Sequence, residues 1–199
     1  MSPSHAISAG FSDPVHDAQN AFRGVLNALS RPGKRFALGT PVHGVLLGAA
    51  MAHLLLALTD DDTAVWWQRS DRAAADWLRF HTGATRTADP QLAAFAVLTS
   101  AGDLPPLDAF AAGSLEAPER STTWLLEVAS LDDGPALQWR GPGIKTVELV
   151  RIAGLPGHFW SQWQANHASF PQGLDIVFTC AGTALGLPRT TRIGRLEEI

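Results

Sequence analysis

The sequence predicts an α/β fold, a layered sandwich built on a mixed sheet. Three observations lead there. Helical periodicities alternate with short β-branched and aromatic runs along most of the 199 residues. After Trp124 several strand-like runs follow one another without intervening helices, which requires some antiparallel pairing. No internal repeat or long linker divides the chain, so one domain over residues 1–199 is expected, with an ordered core at about 11–193.

The first helix is predicted over Pro14 to Leu29. Asp13 caps it, Pro14 suits the first helical position, and Asp17 complements the positive end of the dipole. Ala18, Ala21, Phe22, Val25, Leu26 and Leu29 recur at helical spacing as its apolar face. Ser30-Arg31-Pro32-Gly33 stops it, and Lys34 to Leu38 follows as a short strand. Leu46, Leu47, Ala50, Met51, Leu54, Leu55 and Leu58 make a wide stripe that predicts a central second helix, ended by Asp60-Asp61-Asp62. Thr63 to Trp67 is strand-like. A third helix begins at Ser70, packs Trp77, Leu78 and Phe80, and stops at Gly83. Residues 101–119, rich in proline, read as a loop with one helical turn. Phe95 to Leu98, Trp124 to Val128, Ala136 to Arg140, Val147 to Ile152 and Leu174 to Cys180 are the remaining strands. Gly141-Pro142-Gly143 turns between two of them, and Phe159 to His167 is a fourth helix.

Composition narrows the function. Charged residues are 17% of the chain, below the roughly 25% usual for soluble domains, and the net charge is −4. A general nucleic-acid binder needs a basic face that this balance does not supply. The single cysteine, Cys180, excludes an internal disulfide or a cysteine-rich metal site. Met1–Ile7 has neither a basic nor an apolar leader segment. The 14-residue apolar run Val45 to Leu58 is shorter than the roughly 20 residues of a membrane span. A cytoplasmic protein, with neither membrane nor nucleic acid as partner, is expected. A charge-poor surface also suits an assembly subunit, because charges are depleted in interface cores.

No motif forms a self-contained active site. Asp60-Asp61-Asp62 reads as a solvated turn and not as a metal site, and the seven histidines, His5, 16, 43, 53, 81, 158 and 167, show no ligand spacing. His53 reads as a hydrogen-bonded core residue and Cys180 as a small core residue. His81 reads as a C-terminal cap, with protonation favoured by the helix dipole as the functional alternative. Gly141-Pro142-Gly143 lacks the glycine patterns that cradle phosphates and reads as a rigid turn. Two cationic clusters stand against the net charge: Arg31, Lys34 and Arg35, and Arg189, Arg192 and Arg195. Arginine forks bind phosphate and phosphonate oxygens in pairs, so an anionic ligand or partner is one reading, and exposed arginines without such a task are the other. Tyrosine is absent, and Lys34 and Lys145 are the only lysines for Schiff-base chemistry.

Ordered sequence blocks add a resemblance. Asp13-Pro14-Val15-His16-Asp17-Ala18-Gln19, Phe22-Arg23 and Ser30-Arg31-Pro32-Gly33 open the series. Trp77-Leu78-Arg79-Phe80-His81-Thr82-Gly83 and Gly141-Pro142-Gly143-Ile144 follow. Phe170-Pro171-Gln172-Gly173-Leu174-Asp175 and Leu187-Pro188-Arg189-Thr190-Thr191 complete it. In this order, over residues 11–193, they resemble the PhnH family of the carbon–phosphorus lyase complex of phosphonate metabolism. The resemblance implies a subunit that works with sister subunits to displace adenine from ATP by a phosphonate such as methylphosphonate, giving a ribose 1-phosphonate 5-triphosphate. ATP and the phosphonate would be substrates of the complex, with no cofactor in this chain, no metal, and a homodimer when isolated. It also implies a three-layer α/β/α sandwich with a mixed sheet, resembling that of PLP-dependent transferases, without PLP. The catalytic residues stay unknown. Arg31, Lys34, His81 and Arg189 are the candidates for contact with an anionic ligand or partner. The alternatives are a non-catalytic scaffold subunit of the same complex, or a stand-alone PLP-dependent transferase using Lys34 or Lys145.

Overall fold

The computed structural model describes residues 8–195, and for Arg195 the backbone only. Met1–Ile7, with His5, lie outside the described residues. The elements run α1 (Pro14–Ser30), β1 (Arg35–Ala37), α2 (Ala49–Leu58), β2 (Ala64–Trp67), α3 (Arg72–Thr82), β3 (Thr85–Thr87) and β4 (Phe95–Leu98). They continue with β5 (Thr123–Glu127), β6 (Ala136–Arg140), β7 (Glu148–Arg151), α4 (Phe159–Ala168), β8 (Asp175–Cys180), β9 (Thr183–Leu187) and β10 (Arg192–Arg195). Residues 101–119, expected to hold one helical turn, enter two: Leu107–Ala109, and the start of Pro118–Arg120.

Seven strands form one mixed sheet in the order β1-β9-β8-β5-β4-β2-β3. The stretch β3-β2-β4-β5-β8 is parallel, and β9 runs antiparallel to both β8 and β1. The antiparallel pairing expected after Trp124 is present in two places. β9 folds back on β8, while β6 and β7 leave the main sheet to form a separate antiparallel sheet with β10, ordered β10-β6-β7.

Alternation along the central strands supplies two cores. Val97, Leu125, Val177 and Ala184 face α2 and α3. Leu98, Trp124, Leu126, Ile176, Phe178 and Leu185 face Phe159 and Trp163 of α4 and Leu137, Trp139 and Val150 of the small sheet. The α/β class and the mixed sheet are therefore as predicted, but the second covering layer is one helix plus a three-stranded sheet. That sheet exists because the chain between β5 and β8 carries a β-hairpin before its helix.

Local chemistry explains the helices. Asp13 accepts from the N–H groups of Val15 (3.2 Å) and His16 (3.1 Å), and Asp17 reaches back to the Asp13 N–H at 3.0 Å. Asp71 caps α3 through Ala74 N–H at 3.0 Å, and Gly83 ends it in the left-handed conformation. α2 begins at Ala49, three residues later than its stripe suggests, leaving Leu46 exposed ahead of it. Ala49 to Leu55 are all buried, as befits a helix apolar on every side.

The predicted face of α1 needs correction. Ala21, Gly24, Val25 and Ala28 are buried, whereas Phe22 and Leu26 are more than half exposed. The cause is close approach to the sheet. A Cβ on Gly186 of β9 would stand 2.5 Å from the Ala28 carbonyl oxygen, so the inner face carries the small residues Ala21, Gly24 and Ala28 beside Val25. Phe22 and Leu26 are turned outward, with Val15 on the same stripe and equally exposed.

Candidate functional site

Four of the sequence blocks meet near the N-terminal ends of β5 and β8. Gly143 sits with φ +82°, and a Cβ there would collide with the Ser30 carbonyl and approach Pro32 Cδ to 2.9 Å. The Gly-Pro-Gly turn is therefore built around the end of α1. Gly141, on its other side, lies against Thr190 and Thr191. Trp163 of α4 donates its indole N–H to the Thr191 carbonyl at 3.0 Å. Buried Asn166 brackets Leu174, donating to its carbonyl at 3.0 Å and accepting its N–H at 2.7 Å.

Arg189 closes this junction. Its Nε donates to both Asp175 carboxylate oxygens at 3.2 Å, and Nη2 donates to Asp175 Oδ2 and Ser121 Oγ, each at 2.6 Å. Nη1 reaches the carbonyls of Pro118 (2.9 Å) and Pro171 (3.3 Å), and the backbone N–H adds Asp175 Oδ1 at 2.7 Å. All five guanidinium donors are thus spent inside the chain, which makes Arg189 a clamp that ties its own segment to residues 118–121 and 171–175. An exogenous anion would have to displace one of these partners.

Arg31 and Lys34 are brought together in a second place, a groove of about 640 Å³ between β1, the edge of the main sheet, and β7, the edge of the small one. Arg31 donates to the Asn27 side-chain oxygen, and its guanidinium carbon lies 5.4 Å from the centre of the Phe36 ring. Lys34 Nζ pairs with Glu148 at 2.8 Å, Arg35 pairs with Asp132, and Arg151 Nη1 donates to the Gly134 carbonyl at 2.8 Å. Four cations against the carboxylates of Asp132 and Glu148 leave the lining at a net charge of two positive. The arrangement suits an anionic surface or group. Its ion pairs are exposed and so cheap to exchange for a partner's carboxylates or phosphates.

His81 belongs to neither place. It ends α3, which leads from β2 to β3 at the opposite edge of the sheet. Its Nε2 donates to the Ser8 carbonyl at 2.9 Å, and its ring sits edge-on to Trp77 and Phe80. It fastens the segment that leads into α1. Lys145 is exposed beyond the Gly-Pro-Gly turn. Asp60 accepts from the Thr63 hydroxyl at 2.6 Å, as a turn residue would. His53 donates from Nε2 to the Thr40 carbonyl at 3.1 Å.

Two features have no motif to announce them. Doubly wound sheets take ligands where neighbouring parallel strands send their connections in opposite directions; here that point lies between β2 and β4. Gln68 fills it. Its Oε1 accepts the N–H groups of Thr99 (3.0 Å) and Ser100 (2.9 Å), and its Nε2 donates to the Ser100 and Asp103 carbonyls. The second is Glu127 at the end of β5, half-buried against Gly48. Burial pushes its carboxyl above the usual carboxylate range.

Known proteins resemble this chain over nearly its whole length. The model of the family described as "Bacterial phosphonate metabolism protein (PhnH)" matches residues 9–194. A protein of Rhizobium meliloti (strain 1021), alpha-D-ribose 1-methylphosphonate 5-triphosphate synthase subunit PhnH, is 40% identical over 195 residues, covering 96% of this chain and 98% of that protein. A Stutzerimonas stutzeri protein named "Putative C-P lyase subunit protein HtxG" is 29% identical over 185 residues, covering 88% of this chain and 85% of its own length.

Proposed function

The chain belongs to the bacterial phosphonate metabolism (PhnH) family, and from that premise we propose that it is a subunit of an assembly that forms ribose 1-phosphonate 5-triphosphates. The reaction breaks the bond between ribose C1′ and adenine N9 of ATP and forms a bond from C1′ to a phosphonate oxygen. Adenine leaves with a proton. The observation that carries this reading is the end-to-end match to a protein named as a subunit of such a synthase.

The chain's contribution is positional. Arg189 fixes the junction of the sequence blocks from within. The β1–β7 groove, with Arg31, Lys34, Arg35 and Arg151, presents the positive surface that meets an anionic substrate or a sister subunit. The exposed apolar stripe of α1, Val15, Phe22 and Leu26, is a second surface for a neighbouring chain. We assign it to a second copy of this chain when the sister subunits are absent. The likeness of the mixed, largely parallel sheet to that of PLP-dependent transferases is part of the same proposal, as a likeness of architecture that carries no cofactor. Because ATP is a substrate, we place the assembly in the cytoplasm. No helix of the described residues is long and apolar enough to cross a membrane.

Co-purification tests the role. Sister subunits of the synthase expressed with this chain are retained by a tag on it, and Lys34→Glu with Arg35→Glu reduces their retention. A chain that emerges alone from such a preparation contradicts the proposal.

A further inference from the structure

We propose that a second groove, formed by Arg140, Arg192 and His167, binds the dianionic phosphate group of a small phosphomonoester. β6 and β10 pair antiparallel with Arg140 directly opposite Arg192. Like charges at directly opposed positions destabilise a ladder, so this pair is a cost that the folded chain bears. Among the described residues neither arginine forms an ion pair, and no carboxylate lines their groove of about 650 Å³.

Arg192 is also held in position. Its Nε donates to His167 Nε2 at 3.3 Å, and His167 Nδ1 lies 2.7 Å from the Arg189 carbonyl. A carbonyl only accepts, so Nδ1 carries the imidazole proton and Nε2 offers its lone pair to the arginine. Arg189 is itself immobilised through Asp175. The chain of contacts from Asp175 through Arg189 and His167 therefore orients Arg192 while leaving both Nη groups without a protein acceptor among the described residues. Arg140 spends one donor on a long contact, Nη2 to Gln138 Oε1 at 3.4 Å.

Two guanidinium groups with unspent donors, carried at opposed positions of one ladder and lining one groove, are a donor set for a tetrahedral oxyanion. This distinguishes the groove from the one beside β1, where Lys34 and Arg35 already face carboxylates. The remaining walls are largely apolar. Pro142, Ala168 and Phe170, the last 58% exposed, leave room for an alkyl substituent on the bound group. The site is read from charge pairing within this chain. Its failure would leave the subunit role untouched.

Calorimetric titration and thermal unfolding of the full chain test it, with inorganic phosphate and n-butyl phosphate as probes at fixed ionic strength in chloride. Saturable one-to-one binding is expected, with n-butyl phosphate binding at least as tightly as phosphate and both raising the melting temperature. Arg140→Gln and Arg192→Gln each weaken binding about tenfold or more, the loss typical of a hydrogen bond to a charged group. Arg23→Gln, on α1, leaves it unchanged. Without phosphate, Arg192→Gln melts higher than the parent at low ionic strength, because the opposed charges are relieved. Absence of saturable binding, equal affinity in Arg192→Gln, weaker binding of the alkyl ester than of phosphate, or an equal thermal shift from chloride alone would each overturn the proposal.

Discussion

Replacing Arg189 by alanine separates a clamp from a surface cation. The side chain is 11% exposed and its partner Asp175 is 23% exposed, so the pair sits in the regime where removing one member strands a charge. Breaking such a pair costs about 3–5 kcal/mol. The carbonyls of Pro118 and Pro171 and the Ser121 hydroxyl lose their donor in the same step. For a chain of this length each kcal/mol lowers the melting temperature by roughly 2–4 °C, so Arg189→Ala should melt about 6–20 °C lower. Arg189→Lys keeps the charge but not the fork and should fall between. Urea unfolding gives the free energy directly: the midpoint drops while the slope is unchanged, because the surface exposed on unfolding is the same. A loss of less than about 1 kcal/mol, the worth of an exposed pair, would refute the clamp and return Arg189 to the free cations.

Three further outcomes follow from the geometry. Gly143→Ala should unfold more easily than the parent, by at least the roughly 1 kcal/mol cost of left-handed backbone, with added strain against Ser30 and Pro32; equal stability would show that the turn does not abut α1. Glu127→Gln should stabilise the chain at neutral pH. A raised folded-state value means that Glu127 contributes stability below its unfolded value near 4.3, lost as pH rises through the folded value, so the advantage of glutamine should vanish by about pH 4 in urea titrations across pH. A gain independent of pH would exclude burial of the carboxylate as the cause. Lys34→Gln should change stability by less than about 1 kcal/mol while weakening retention of sister subunits, and a large stability loss with normal retention would make Lys34 structural.

Much of the fold is legible because its determinants are local. Asp13-Pro14 starts α1, Gly83 ends α3, and the apolar runs of β4, β5 and β8 are buried on both faces of the sheet. α3 itself starts at Arg72 behind an Asp71 cap, two residues past the expected Ser70. What the sequence hides is set by contacts distant along the chain. β9 escapes a sequence reading because Thr-Ala-Leu-Gly-Leu has a glycine in its middle, present for the approach of α1, and β3 is only three residues at an edge. The same approach leaves Ala21 and Val25 on the expected face of α1 but turns Phe22 and Leu26 outward. Arg31 and Lys34 are close in sequence and share one groove, but their neighbours Asp132, Glu148 and Arg151 come from β7 and the loop before β6, which no spacing rule foretells. Arg189 stands out in the sequence as a cation, yet its partners lie 14 to 71 residues away and turn it into a clamp.

A subunit of such a synthase is needed for adenine displacement by the assembly. The most direct measurement is adenine release from ATP and methylphosphonate by purified sister subunits, with and without the chain. Release should require the chain and return when it is added back; undiminished release in its absence would show that the chain has no part in the reaction.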